Sequence, residues 1–205
     1  FTFHYNDIYV ASGSGVAVSS DDIATWTLKN TGLPVSTTPN DIVFYCNKMF
    51  ISSDKGVFET SDYGDNWFDY NTGLNSIGIP RCLTFDDLNM YTGTSGAALW
   101  SRPLSLCAYL TAINVSCNSA FDASCSVQAT GGTPPYSYAW SNGTISTTIT
   151  GLCPGVYDIT VTDAMSTTAY AVATITEPTP LVTATVTTDD TGACNGSATV
   201  NASGA

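Results

Sequence analysis

Positive charge is what this 205-residue sequence has least of. Five Lys and Arg stand against 17 Asp and Glu, giving a net charge of -12, and His4 is the single histidine. Phosphate backbones are bound by clustered Lys and Arg, so nucleic acid is excluded as a partner. From Pro103 to Ala205 there is no Lys, Arg or His at all, and that half holds 20 of the 31 threonines. The break in composition near residue 103 marks a domain boundary. Runs of 18 apolar residues are also missing, so no helix is expected to insert in a membrane. None of the seven cysteines forms a Cys-x-x-Cys pair, and one histidine cannot complete a mixed zinc site. No metal or other cofactor is expected. An initiator Met and a signal peptide are absent, and the first residues already fit a strand pattern, as expected of a processed or shortened chain. Helical periodicity is missing too. Apolar residues alternate in short runs broken by Gly, Asn, Asp and Pro every 8–12 residues or so, which predicts an all-β chain.

What the sequence does contain is an internal echo. Residues 15–33 read GVAVSSDDIATWTLKNTGL and residues 56–74 read GVFETSDYGDNWFDYNTGL, an offset of 41. The same offset carries Tyr9 to Phe50 and then to Tyr91. Each copy supplies a strand (DIYVAS, KMFISS, NMYTGT), a tight turn and a second strand (GVAVS, GVFETS and residues 97–100). An acidic turn and a short strand begun by Trp26 or Trp67 follow in the first two. Periods of about 40–50 residues are those of β-propeller blades. Three copies of the hairpin make two to three blades, whereas a closed propeller needs roughly 4–8. Unpaired edges and faces would remain, so further blades are expected upstream of Phe1 or in another chain.

The second half begins near Ile113. Residues 131–140 (GGTPPYSYAW) predict a turn and then a strand, with Tyr136, Tyr138 and Trp140 alternating. The Ser141-Asn-Gly-Thr144 segment predicts a type I′ hairpin turn. GVYDITVTD (155–163) places Tyr157, Ile159 and Val161 on one face, and TAYAVATIT (168–176) predicts another strand. Glu177-Pro-Thr-Pro180 predicts a short stiff joint. SATVNASGA (197–205) then matches SCSVQATGG (124–132) at an offset of 73, so a second copy of the module opens there. The expected organisation is a partial propeller at 1–104, a linker at 105–112, a β-sandwich repeat at 113–178, and a linker with the start of a second repeat at 179–205. Cys117, Cys125 and Cys153 lie in the Thr-rich module and are the expected disulfide formers, connectivity open. Cys46, Cys82, Cys107 and Cys194 complete the set, and the odd total leaves at least one thiol free or paired elsewhere. Such cysteine use suits an oxidising, extracytoplasmic compartment.

Two resemblances follow from these residues. Thr60-x-Asp62-x-Gly64-x-x-Trp67 resembles the Asp-box, or BNR repeat, of sialidase-like and sortilin-like propellers. There the carboxylate would accept turn N–H bonds, the glycine would take a positive φ, and the tryptophan would pack beneath the hairpin. Ser19-x-Asp21-x-Ile23-x-x-Trp26 is a degraded copy, in which Ile23 forces another geometry or strain. The stretch 93–105, with Trp100 in Trp-x-Arg-Pro-Leu-Ser, resembles the last propeller segment of bacterial surface and secreted proteins. The second half resembles the SprB-type repeat of Bacteroidota gliding-motility adhesins, related in outline to PKD and immunoglobulin-like sandwiches. Its matching residues include Gly131-Gly-Thr-Pro-Pro135-Tyr136, Trp140-Ser-Asn-Gly143, Gly155-Val-Tyr157 and Glu177-Pro178. Where that family commonly has Gly-Cys, this chain has Met165-Ser166, which leaves Cys117 without the usual partner. The resemblance implies export by type IX secretion, adhesion and gliding motility.

Asp21 and Asp62 are expected to brace hairpins. A sialidase would need an arginine cluster, and only Arg81 and Arg102 are present. Glycoside hydrolysis needs two carboxylates about 5–10 Å apart, yet no spacing singles out a pair among Asp62, Asp65, Asp69, Asp86 and Asp87. His4 is expected to be a solvated surface residue, and the pairs Asp86-Asp87 and Asp189-Asp190 to be solvated turns rather than calcium ligands. Asn114, Asn142, Asn195 and Asn201 head Asn-x-Ser/Thr sequons that fit a Thr/Ser-rich composition. The sequence therefore points to a non-enzymatic, extracellular surface structural or adhesion segment. Its sandwich repeats form a stalk or filament, and its propeller a display or binding head. Expected partners are other copies of itself, other surface proteins, and glycans. The alternatives are a secreted propeller glycoside hydrolase with accessory modules, and a fibre subunit whose copies complete each other's sheets.

Overall fold

A computed structural model of the chain describes residues 1–4, 6–74, 78–96, 98–188 and 197–203. Among these there is no helix, and the strands form small antiparallel sheets, none of them closed. Strands β1 (Thr2–His4), β2 (Asp7–Ser12), β3 (Gly15–Ser19) and β4 (Thr27–Leu28) run as one meander. A second consists of β5 (Pro39–Tyr45), β6 (Lys48–Ser53), β7 (Gly56–Thr60) and β8 (Phe68–Asp69). A third has three strands, β9 (Pro80–Phe85), β10 (Asn89–Thr94) and β11 (Leu99–Pro103). The alternation predicted each central hairpin closely. It did not mark β5 and β9, where Pro39 and Pro80 stand at the first strand position. Of the expected strand 97–100, Ala97 lies outside the described residues.

The chain divides into two compact units, Phe1–Cys107 with Thr130–Thr133, and Ala108–Ala129 with Pro134–Ala205. In the first, successive meanders share cores. Tyr9, Val16 and Val18 of the first pack with Ile42, Met49, Ile51, Phe58 and Trp67 of the second. Phe50, Val57 and Leu74 of the second pack with Leu83, Met90 and Trp100 of the third. Each meander thus has a leading face and a trailing face, set by the two-residue alternation of its strands. Phe58 lies opposite Ile51 and Trp100 opposite Thr92, so Trp100 replaces Phe58 in the third meander, shifted by one residue.

In the second unit, save for the end residues Cys107 and Thr130 that count with the first, β12 (Cys107–Ile113), β13 (Ala123–Thr130) and β15 (Thr148–Leu152) form one sheet. A second sheet contains β14 (Ser137–Trp140), β16 (Gly155–Thr162) and β17 (Thr168–Ile175). Buried side chains come from both: Cys125, Val127, Ile149 and Leu152 from one, Trp140, Ile159, Val161 and Ile175 from the other. Two expectations are corrected here. Most of the 105–112 linker is strand β12, because its backbone pairs with β13. The Asn142-Gly143 turn is not a type I′ hairpin. Gly143 has φ +83° but Asn142 is not among the positive-φ residues, and β14 and β15 belong to different sheets. The turn carries the chain across, closed by Gly143 N–H donating to Trp140 O and Trp140 N–H to Thr144 O.

Strands β18 (Val182–Thr188) and β19 (Ser197–Ser203) form an exposed two-stranded sheet. At the 73-residue offset β19 corresponds to β13, and β18 to residues 109–115, which overlap β12. The pair that opens the sandwich is therefore built twice. Asp189, Asp190, Cys194, Asn195 and Gly204, named above for calcium, thiol, sequon and repeat, lie outside the described residues.

Candidate functional site

The acidic turns after β3 and β7 have one design. Asp62 Oδ1 accepts from the Thr60 hydroxyl at 2.7 Å and from Asn66 N–H at 2.9 Å, and its Oδ2 accepts from Asn66 Nδ2 at 2.8 Å. Thr60 Oγ1 in turn accepts from Gly64 N–H at 3.1 Å. In the other copy Asp21 Oδ1 takes the Ser19 hydroxyl and Thr25 N–H, both at 2.9 Å, and Oδ2 takes the Thr25 hydroxyl at 2.7 Å. Ser19 Oγ accepts from Ile23 N–H at 3.0 Å. Donation to the ionised form lowers a carboxyl pKa. The Thr60 hydroxyl, then the Asn66 side chain and N–H, hold Asp62 down at about 2 from an ordinary 3.8. The Thr25 hydroxyl, then Thr25 N–H and Ser19, lower Asp21 as well. Tyr63 and Gly64 lie at φ +56° and +91°, and Asp22 and Ile23 at +53° and +67°. The degraded copy therefore keeps the same backbone, and a β-branched side chain bears a conformation that costs roughly 1–2 kcal/mol.

The Asn-Thr-Gly-Leu echo has its own task. Gly15 and Gly56 have φ +110° and +119°, and a Cβ there would meet Asn30 Oδ1 at 2.2 Å and Asn71 Oδ1 at 2.0 Å. Those oxygens accept from Val16 N–H at 2.9 Å and Val57 N–H at 2.7 Å. The asparagine closes the hairpin edge that β4 and β8 are too short to cover. Gly32 then lets the next meander come close. Trp67 N–H donates to Thr31 O at 2.9 Å, and Trp67 Nε1–H to Lys29 O at 2.7 Å. The paired recurrence of Gly15/Asn30 and Gly56/Asn71 was visible in the sequence, but their mutual contact was not.

One groove of about 310 Å³ in the first unit gathers His4, Asp7, Tyr9, Lys29, Asp62 and Asp65. Asp62 is engaged as described, and Asp65 is ion-paired with Lys29. Burial first, then Asp7, Tyr63 and Asp65, pushes the Tyr9 phenol up to about 12. Asp7 is left as the remaining carboxylate. His4 is not simply solvated: its ring stacks on Phe44 at 4.8 Å and lies 4.7 Å from Tyr63. Two more of the acids considered for hydrolysis are occupied. Asp69 accepts from Asn71 N–H and Nδ2, and Asp86 from Leu88 N–H, Asn89 N–H and the Tyr91 hydroxyl. Arg102 lies over the Tyr70 ring at 3.7 Å.

The remaining expected residues are spread out. Trp67, Trp100 and Trp140 are buried, while Trp26 is 44% exposed. Pro135 is exposed after a cis bond from Pro134, and Tyr136 is half-buried. Tyr157 is half-buried and donates its hydroxyl to Cys153 O at 3.1 Å. The disulfide expectation is corrected. Cys117, Cys125 and Cys153 are free thiols, and the bridge joins Cys46 to Cys107 within the first unit, with Cα atoms 6.0 Å apart. Strand register is the reason for one pair. Cys125 sits opposite Ile149, and Leu152 opposite Ala123, which leaves Cys153 roughly 10 Å along the sheet; a disulfide spans about 4.4–6.8 Å between Cα atoms. Cys117 is exposed while Cys125 is 0% exposed in the core. Cys107 was missed because the composition break placed it in a linker.

Residues 110–145 match the family model of the SprB repeat, a structural repeat of cell-surface proteins. The match supports a Bacteroidota-type surface protein. No curated protein matches the chain. Among solved structures, one similar chain is an extracellular domain from B. thetaiotaomicron, described as that of one component system BT4673. It is 13% identical at a TM-score of 0.35, covering 82% of this chain and 29% of that one. Another is YCF48 bound to D1 peptide, 12% identical at a TM-score of 0.35, covering 85% of this chain and 67% of that one. Likeness at this level is too slight to bear on fold or function.

Proposed function

We propose that the chain is a non-enzymatic segment of an extracellular adhesion or structural protein. The SprB-repeat match, on a module whose opening strand pair occurs twice, carries this reading. In it the sandwich repeats form a stalk or filament, exported by type IX secretion. The three meanders are blades of a partial β-propeller with Asp-box turns, which serve as a display or binding head. The physical logic is modular. The first sandwich buries a core of its own, with Ile159 and Val161 at 0% exposure, so repeats of this kind can be added in series without redesign. Pro178 and Pro180 stiffen the joint to the next repeat. A surface of threonine and serine hydroxyls stays hydrated with little charge. The acidic turns support the same reading, since their carboxylates are consumed by hairpin bracing. Antibody labelling of intact source cells tests it. Labelling without permeabilisation is expected, with loss of attachment when the gene is deleted; labelling only after lysis would overturn it.

A further inference from the structure

The first unit builds one cleft twice, and the two copies differ in chemistry. The first cleft, of about 440 Å³, lies between the tip of the β2–β3 hairpin and residues 33–38. The second, of about 320 Å³, lies between the tip of the β6–β7 hairpin and residues 78–80. Equivalent residues of the 41-residue echo line both: Asn30 and Leu33 in one, Asn71 and Leu74 in the other. Both are closed in the same way against the tip of the next hairpin. Asp54 N–H donates to Thr38 O at 3.1 Å, and Ser95 N–H to Ile79 O at 2.9 Å.

The polar groups are not shared. Ser14, Ser36 and Thr38 of the first cleft correspond to Lys55, Ile77 and Ile79, so the fold does not require three hydroxyls there. All three residues are exposed, and their hydroxyls bond to no described residue. No charged side chain lines the first cleft, whereas the second has Lys55 ion-paired with Asp54 at 3.0 Å. Leu33, Pro34 and Val35 set apolar carbon beside the hydroxyls. We propose that the first cleft binds a neutral saccharide. A sugar presents hydroxyls and C–H faces side by side, as this lining does. An anion would meet no cation here, on a chain of net charge -12, and a cation would meet no carboxylate. A peptide is usually held by a sheet edge or an apolar groove, and this cleft is made of loops and a hairpin tip. The volume falls in the range of ligand sites, about 300–1,000 Å³. The inference rests on reading the meanders as a binding head and names what that head takes.

Titration of the ¹⁵N-labelled 205-residue chain, followed by its amide signals, tests it. The probes are four neutral hexasaccharides, of α-1,4-glucan, β-1,4-glucan, β-1,3-glucan and β-1,4-mannan, with hexagalacturonate as the anionic control. At least one neutral probe is expected to shift Ser14, Ser36 and Thr38, and hexagalacturonate none of them. The variant Ser14→Ala/Ser36→Gly/Thr38→Val removes the hydroxyls but no hydrogen bond within the protein, and glycine suits the φ of +61° at Ser36. It should keep the remaining spectrum and lose affinity about tenfold or more, as ordinary hydrogen bonds to the ligand are lost. Lys55→Ala, in the second cleft, should change nothing. Silence toward all four neutral probes overturns the proposal, as does binding that the triple variant leaves intact or that hexagalacturonate shares. None of these results alters the surface-labelling test above, so the two readings fail separately.

Discussion

Trp67→Ala is expected to destabilise the first unit by about 3–5 kcal/mol, the usual cost of emptying a buried tryptophan site. Trp67 is 3% exposed, packs in the core shared by the first two meanders, and donates its indole N–H to Lys29 O. Trp26→Ala, at the same point of the echo, is expected to cost no more than about 1 kcal/mol, since truncating a part-exposed side chain leaves little cavity. Hydrogen exchange at the amides of Met49, Ile51 and Val57 separates the two, because it follows β6 and β7 and not the second unit. Exchange that accelerates equally in both variants would contradict the assignment of leading and trailing faces.

The second large effect is expected at the disulfide. Cys46 and Cys107 are separated by 61 residues. In the chain-entropy model, a loop of that length contributes about 4 kcal/mol by restricting the unfolded chain. The bridge ties Cys107, the last residue of the first unit's main segment, back to the turn after β5, where Cys46 has φ +57°. Cys46→Ser with Cys107→Ser should lower the melting temperature of the first unit by many degrees, and a reducing agent should reproduce the shift in the unmutated chain. An equal loss from Cys125→Ser would place the stabilisation elsewhere, since Cys125 is a free thiol in the second unit.

The parts of this structure that were legible in the sequence are those governed by local rules. Period-two alternation located β2, β6 and β10, and the repeated Asp, Gly and Trp located the turns. Parts set by partners at long range were not legible. β5 and β9 open on prolines, lie outside the hairpin echo, and are recognisable only against β6 and β10. The Asn142-Gly143 turn has hairpin chemistry, but its flanking strands pair elsewhere, with β16 and β13. Ile23 shows the limit from the other side. Its side chain predicts either another geometry or strain, and the Ser19–Asp21–Thr25 hydrogen bonds impose the strained choice. The disulfide joins residues on either side of a composition break, and composition could only argue for keeping them apart.

The carboxylates of the two acidic turns serve their sheets, and titration of the Asp62 carboxyl by NMR tests that most directly. Three donors hold the charged form, so its pKa in the folded chain lies below its ordinary value. The resulting stability is complete above about pH 4 and is lost as the pH falls toward 2. A midpoint near 2, returning toward 3.8 in Thr60→Val, is the result this account predicts. A midpoint at or above 3.8 in the unmutated chain, indifferent to Thr60, would mean a carboxyl free for other work and would contradict it.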